Sequence, residues 1–401
     1  MNAPQRAHPF ARSRWAERAG QAMALMWKHG ITTRPELDPD LLWNIGAQGF
    51  DERDELSIRS SEDVADFRER LDMLCLALRE EAALNSMGLA MAYGQIIAAI
   101  RKRHALGRYW NVHPGIASRP IAPPILVVGQ MRSGTTRVQR LLAADPGHAG
   151  TRFCNSHDPA PPALDLRPLR ARLALVLARR INPWLDTMHP FGATRTDEEI
   201  GWLAAALSPA TFEAQWRIPS FIAFSGARDA GPVYREFVRI LHTDAHTMGD
   251  AARPRVLKCP QFAEDLAAIC KLLPEAKLVR CHRPPTDVLR SSVSMTASQM
   301  AFQTDRHDVE WLTTHWREKI VQREAAMERA VGAFDGPVAE VHFAALNADW
   351  QGAMASVYEA LGTPLTTAAV QAMAAEQAKA KTDPHGHHAE QIAEFASPAL
   401  S

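Results

Sequence analysis

Cysteine is scarce in this chain of 401 residues and forms no pattern: Cys75, Cys154, Cys259, Cys270 and Cys281 are odd in number, and none pair in C-x-x-C spacing. That excludes a disulfide framework and a zinc knuckle, and it favours a reducing, cytoplasmic setting. Net charge is lacking too, with 45 lysines and arginines against 45 aspartates and glutamates. Nothing global recruits nucleic acid, so any anion site has to be local. No apolar run reaches the roughly 18 residues of a spanning helix, and the first residues lack the apolar stretch and cleavage site of a secretion signal. The start is basic, with Arg6, Arg12, Arg14 and Arg18 ahead of Ala22-Met23-Ala24-Leu25-Met26. An arm touching a membrane surface is one reading of it, and a frayed tail leading into an ordinary surface helix is the simpler expectation.

What the chain does have is apolar residues, 46% of the total, enough for one large core. Val64, Phe67, Leu71, Leu74, Cys75 and Leu78 recur at helical spacing behind the capping candidates Ser60 and Ser61. A second stripe runs through Leu84, Met87, Met91, Ile96, Ile97 and Ile100 and is expected to end at the basic cluster of residues 101–104, which complements a helix dipole. A proline-rich stretch at 113–124 closes this helical leader, which puts a leader at 1–118 and a second domain at 119–401. Beyond it, short apolar strands at 125–128, 255–258, 277–280 and 338–343 alternate with helical patterns. That alternation predicts the α/β class, a P-loop-like parallel sheet flanked by helices with an N-terminal helical segment.

The centre of the chain is Ile125-Leu-Val-Val-Gly129-Gln-Met-Arg132-Ser133-Gly134-Thr135-Thr136, a buried strand, a tight turn and a helix start. Gly129 and Gly134 let backbone N–H groups converge, and the helix start adds its positive end, so the turn suits phosphate-like oxygens. The glycine spacing is that of a Walker A loop, G-x-x-x-x-G-K-[ST], but Thr135 stands where the lysine should be. Arg132, inside the loop, offers a guanidinium instead. The strand at 277–280 leads into Cys281-His282-Arg283 and not into the magnesium-binding aspartate of a nucleoside triphosphatase, which suits an anion and not a metal.

At these residues the chain resembles the sulfotransferases that use 3′-phosphoadenosine 5′-phosphosulfate (PAPS), in particular their bacterial branch. That branch's 5′-phosphosulfate loop reads G-x-P-R-[ST]-G-T-T; here Gln130 and Met131 replace x-Pro. The 3′-phosphate signature R-[DN]-P-x-[DE]-V-x-x-S is met by Arg283, Pro285, Asp287, Val288 and Ser291, with Pro284 departing. Between them lies a K-x-P segment at Lys258 and Pro260, and His342-Phe343-Ala344-Ala345-Leu346 is similar to H-Y-x-x-L. The resemblance covers about 40–395. It implies that Gly129, Arg132, Ser133, Gly134, Thr135 and Thr136 hold the 5′ end of PAPS, that Arg283 and Ser291 hold the 3′-phosphate, and that Lys258 meets the transferring sulfuryl group or the acceptor. PAPS is then a co-substrate, and no metal is required.

The acceptor's proton needs a base, and the positions after Lys258 hold none. Glu198, at the opening of a helix, and His189, nine residues earlier, occupy places where bacterial members usually carry Glu and His. Glu198 is the favoured base, with His189 orienting it or sharing the proton. Phe212, Trp216, Phe221 and Phe224 suit either an aromatic acceptor pocket or ordinary core. His242 and His246 stand at i, i+4 without a third ligand, which reads as accident and not as a metal grip. His387 and His388 resemble a family loop that closes over the nucleotide, though both of that loop's arginines are replaced. The expected partner is a small, hydrophobic hydroxyl or amine acceptor, with homo-oligomerisation left open. The rivals are a P-loop kinase or NTPase and a non-catalytic nucleotide binder.

Overall fold

The computed structural model describes residues 6–382. His387 and His388 lie outside the described residues.

Five parallel strands form one sheet: β1 (Ile125–Gly129), β2 (Ala149–Gly150), β3 (Arg255–Lys258), β4 (Lys277–His282) and β5 (Val338–His342), in the order β2-β3-β1-β4-β5. β1 is central and buried along its whole length. It runs in register with both neighbours, Ile125 opposite Val256 and Lys277. Because successive side chains point to opposite faces, its residues divide between two cores. Leu126 and Val128 join Leu257 and Leu278 under Trp202, Tyr234, Phe237 and Phe262. Ile125 and Val127 join Val256 and Val279 under Val138, Leu141, Leu142 and Tyr358. The chain winds away from β1 in both directions, so the crevice beyond its carboxyl end is the natural ligand site of such a sheet.

The leader is helical as its periodicity implies. Ser61–Glu80 starts with a reciprocal capping box between Ser60 and Asp63. The next helix, Ser86–Val112, runs past the basic cluster expected to end it. Arg103 is buried there: its Nε donates to Glu55 Oε1 at 2.7 Å and its Nη2 to the Asp63 carbonyl at 3.1 Å. Buried partners from distant segments, not a terminal dipole, account for Arg103. Gly107, three residues on, allows close packing, since a Cβ there would sit 1.8 Å from the Asp54 carbonyl oxygen.

The leader shares its core with the rest of the chain: Phe67, Leu71, Leu74, Ile96 and Ile100 pack with Phe212, Trp216 and Phe221. Those rings therefore serve the leader and not an acceptor pocket, and Phe224 is packed against the same cluster. His242 Nδ1 and His246 Nε2 face the Arg119 and Pro120 carbonyl oxygens at 2.6 and 3.1 Å, so both rings act as backbone donors.

Candidate active site

The turn between β1 and the helix Thr135–Ala144 is built as the sequence implies. Gly134 has φ 91°, and a Cβ there would lie 2.7 Å from Phe343 Cδ2. A Cβ on Gly129 would come within 2.8 Å of both the Cys281 carbonyl oxygen and Ser133 Oγ. Arg132 also sits at positive φ, 72°, a conformation that costs a non-glycine residue about 1–2 kcal/mol. Such strain persists where the surroundings enforce it. Here Arg132 Nε donates to Ser291 Oγ at 2.8 Å and its Nη1 to the Met188 carbonyl at 2.7 Å.

Ser133 shapes the turn: its N–H and its hydroxyl both donate to the Gln130 carbonyl, at 3.1 and 2.7 Å. The N–H groups of Gly134, Thr135 and Thr136 have no acceptor among the described residues and open the helix. Gln130, where the family pattern has no fixed residue, is tied to the Ile320 carbonyl through Nε2 at 2.9 Å. The tether holds the residue before Met131, which stands where the usual proline is missing.

The second turn lies directly against the first. β4 ends at His282, and the next residue, Arg283, donates from Nη1 to the Arg132 carbonyl at 2.9 Å while its guanidinium lies 4.4 Å over the Phe343 ring. Pro284 is the N-cap of the helix Pro285–Met300, its carbonyl accepting from Asp287 and Val288 at 3.1 Å, and no side-chain cap replaces the absent Asp or Asn. Burial and then the like charge of Arg283 pull Arg132 down to about 10. The two neighbouring guanidiniums, near only Asp287, 3.7 Å from Arg283 Nε, and Glu198 among the described acids, make a socket that a multiply charged anion relieves.

A second cluster lines the same cavity. Lys258 ends β3, is almost wholly buried, and donates from Nζ to Glu198 Oε1. His189 Nδ1 lies 3.8 Å from the same oxygen, and His189 Nε2 faces Asp197 Oδ1 at 2.8 Å. Asp197 also accepts from the Glu198 N–H at 2.8 Å and lies 3.5 Å from Arg140. Burial works against its charge, but His189, Arg140 and that N–H outweigh it and hold Asp197 at about 2. The run Asp197-Glu198-Glu199 thus splits three ways. Asp197 backs His189, Glu198 meets Lys258 at the cavity, and Glu199 is fully buried, where desolvation pushes its carboxyl up to about 8. Asp197 and Glu199 escaped the sequence analysis, and the run of three acids was the available signal.

Both clusters line a cavity of about 660 Å³. Its lining includes Arg132, Thr135, Thr136 and Arg283 together with His189, Glu198 and Lys258. Aromatic walls come from Phe153, Phe191, Trp316 and Phe343, with Leu175, Leu185, Met188 and Met295 between. Among the described residues, His189, Asp197 and Glu198 are the one group that brings three ligating atoms together, all within 4.8 Å of one another. Lys258 and Arg140 already compensate both carboxylates, which leaves little net charge for a divalent cation.

No curated protein sequence matches this chain significantly. A sequence profile described as the sulfotransferase family matches residues 123–367, more than half of the chain. Among solved structures, sulfotransferase STF1 from Mycobacterium tuberculosis H37Rv is 25% identical, with a TM-score of 0.72 over 89% of this chain and 98% of that one. Sulfotransferase STF9 from Mycobacterium avium shares the fold at 20% identity, with a TM-score of 0.74 over 86% and 88% of the two chains. The profile match over more than half of the chain shows that this chain belongs to the sulfotransferase family and is a transferase.

Proposed function

We propose that the protein transfers a sulfuryl group from PAPS to a hydroxyl, or an amine, of a small hydrophobic acceptor. The observation that carries this reading is the adjacency of the two turns, Arg132 Nε to Ser291 Oγ at 2.8 Å and Arg283 Nη1 to the Arg132 carbonyl at 2.9 Å, opening on a largely apolar cavity. One nucleotide reaches both. Arg283 and Ser291 take the 3′-phosphate, while Arg132 and the N–H groups of Gly134, Thr135 and Thr136 take the 5′ end.

The acceptor oxygen attacks sulfur in line, its proton passes to Glu198, the S–O bond to the 5′-phosphate breaks, and that oxygen keeps the electron pair. 3′-Phosphoadenosine 5′-phosphate leaves. Arg132 and the loop N–H groups stabilise charge on the departing oxygen, the term that usually contributes most in such transfers. The Lys258–Glu198 pair is the resting state. A sulfuryl group draws Lys258 onto its oxygens and frees Glu198 to accept the proton. His189 is the second candidate base, because Asp197 fixes the proton on Nε2 and leaves Nδ1 facing Glu198.

Calorimetric titration tests the donor site. 3′-Phosphoadenosine 5′-phosphate binds at micromolar concentration without magnesium, and ATP does not compete; ATP binding that depends on magnesium restores the kinase reading. Mass spectrometry of extracts incubated with heavy-sulfur PAPS then identifies the acceptor, and failure to label any product favours a non-catalytic binder.

A further inference from the structure

The helix Arg167–Ile181 carries apolar residues on its outer face as well as its inner one. Its inward residues are Arg167, Ala171, Leu175 and Ala178, and the last two form part of the cavity wall. Outward stand Leu169, Leu173, Val176 and Leu177, exposed by 55%, 63%, 49% and 61%. Positions i, i+4, i+7 and i+8 share one helical face, so the four make one continuous apolar stripe. Leu166 prolongs it at the start. Trp15, 59% exposed, prolongs it at the end, where Arg180 lies 5.8 Å over its ring and Ser13 Oγ donates to the Ile181 carbonyl at 2.7 Å. A contiguous apolar strip of this kind marks an interaction surface.

Charge decides what covers it. Arg170 and Arg172 border the stripe on its two sides, Arg180 follows it, and Arg14 and Arg18 flank Trp15 on the helix Arg14–Lys28. Arg170 faces Asp158 at 3.5 Å, while Arg14, Arg18, Arg172 and Arg180 have no carboxylate partner among the described residues. Glu17 is the acid nearest Arg14 and Arg18 in sequence, while Asp165 and Asp186, the nearest to Arg172 and Arg180, are paired with Arg167 and Arg179. A second copy packed across a two-fold axis would set these arginine borders against one another. Anionic headgroups supply the opposite sign.

We propose that this face docks on the surface of an anionic lipid bilayer. The leucines and Trp15 enter the boundary between headgroups and acyl chains, and the arginines reach back to the phosphates. The contact is peripheral, since no described helix is long and apolar enough to cross a membrane. The docked helix is also a wall of the cavity, so an acceptor dissolved in the bilayer has a short path to Glu198. That last step rests on the sulfotransferase reading; the docking does not.

Co-sedimentation of the full chain with vesicles tests the proposal. The chain pellets with phosphatidylcholine mixed with phosphatidylglycerol, pellets poorly with phosphatidylcholine alone, and is released by salt. The double variant Leu169→Glu, Leu173→Glu loses binding at least ~tenfold, with its melting temperature and its affinity for 3′-phosphoadenosine 5′-phosphate unchanged. Should that variant not fold, Arg172→Glu replaces it and weakens binding to the mixed vesicles. The proposal is overturned if the wild-type chain ignores the mixed vesicles or if the variants bind them as well as wild type. A wild-type dimer in light scattering that the double variant converts to monomers also overturns it, because a second copy then covers the face. Nucleotide affinity is read separately, so a failed docking experiment leaves the sulfotransferase assignment standing, and the reverse holds.

Discussion

The buried carboxyl of Glu199 accepts a hydrogen bond from the Lys258 backbone N–H at 2.7 Å, beneath the very residue whose side chain holds Glu198. Glu199 thereby fixes the end of β3 against the Asp197-Glu198-Glu199 segment, and it does so as a neutral acid, because desolvation raises its carboxyl to about 8.

A carboxyl whose folded pKa lies above its unfolded value contributes fully below about pH 4.3 and loses that contribution as pH rises toward the folded value. For Glu199 the window runs from there to about 8. Glu199→Gln keeps an acceptor for the Lys258 N–H and cannot ionise. Its stability relative to wild type therefore improves steadily from pH 5 to pH 8, by roughly 2–5 kcal/mol in all. Thermal melts across that range check this; parallel curves for the two proteins would mean that Glu199 is ionised in the fold.

Arg132 combines strain with function, so its substitutions separate the two. Arg132→Ala and Arg132→Gly both remove the guanidinium and lower kcat by about 10²–10³-fold. Only glycine relieves the positive φ of 72°. The glycine variant is then more stable than the alanine variant by roughly 1 kcal/mol, although in an ordinary loop glycine is the less stable of the two. Chemical denaturation of the pair decides, and an alanine variant that is equal or better contradicts the strained loop.

Ser291→Ala removes the acceptor of the Arg132 Nε hydrogen bond and, on the proposed reading, a ligand for the 3′-phosphate. Affinity for 3′-phosphoadenosine 5′-phosphate falls by about tenfold, the worth of one charge-assisted hydrogen bond. Affinity for adenosine 5′-phosphate, which lacks the 3′ group, changes much less. An equal loss for both nucleotides would place Ser291 elsewhere in the site.

Much of this arrangement was legible in the sequence because its parts are local. Gly129 and Gly134 fix a turn through their own backbone, the run from Arg283 to Ser291 fixes a strand end and a helix through its prolines, and β-branched runs mark covered strands. What stayed hidden depended on distant partners. Helical spacing is the same for a ring that lines a pocket and one that fills a core, so Phe212, Trp216 and Phe221 declare themselves only once the leader is seen packed against them. The helix through Arg103 continues because Glu55, far back in the chain, meets it. Asp197 and Glu199 flank Glu198 in sequence, and only the folded loop shows that one turns to His189 and the other to the Lys258 backbone.

Glu198 Oε1 and His189 Nδ1 stand 3.8 Å apart, and on the proposed reading their variants distinguish the base from its support. If Glu198 takes the proton, Glu198→Gln lowers kcat by about 10²–10⁴-fold and removes the acidic limb of the pH–rate profile. His189→Asn then costs much less and leaves that limb in place. If His189 is the base, the order reverses, and Asp197→Asn joins it, because an amide cannot hold the imidazole in the tautomer that leaves Nδ1 unprotonated. Asp197 carries a second signature. Its carboxyl is held at about 2, so its contribution to stability is present above about pH 3.9 and fades as pH falls through 2. Asp197→Asn is accordingly less stable than wild type at neutral pH, and the gap closes in acid. A variant whose deficit persists unchanged at pH 2 would show that Asp197 acts by packing and not by its charge beside His189 and Arg140.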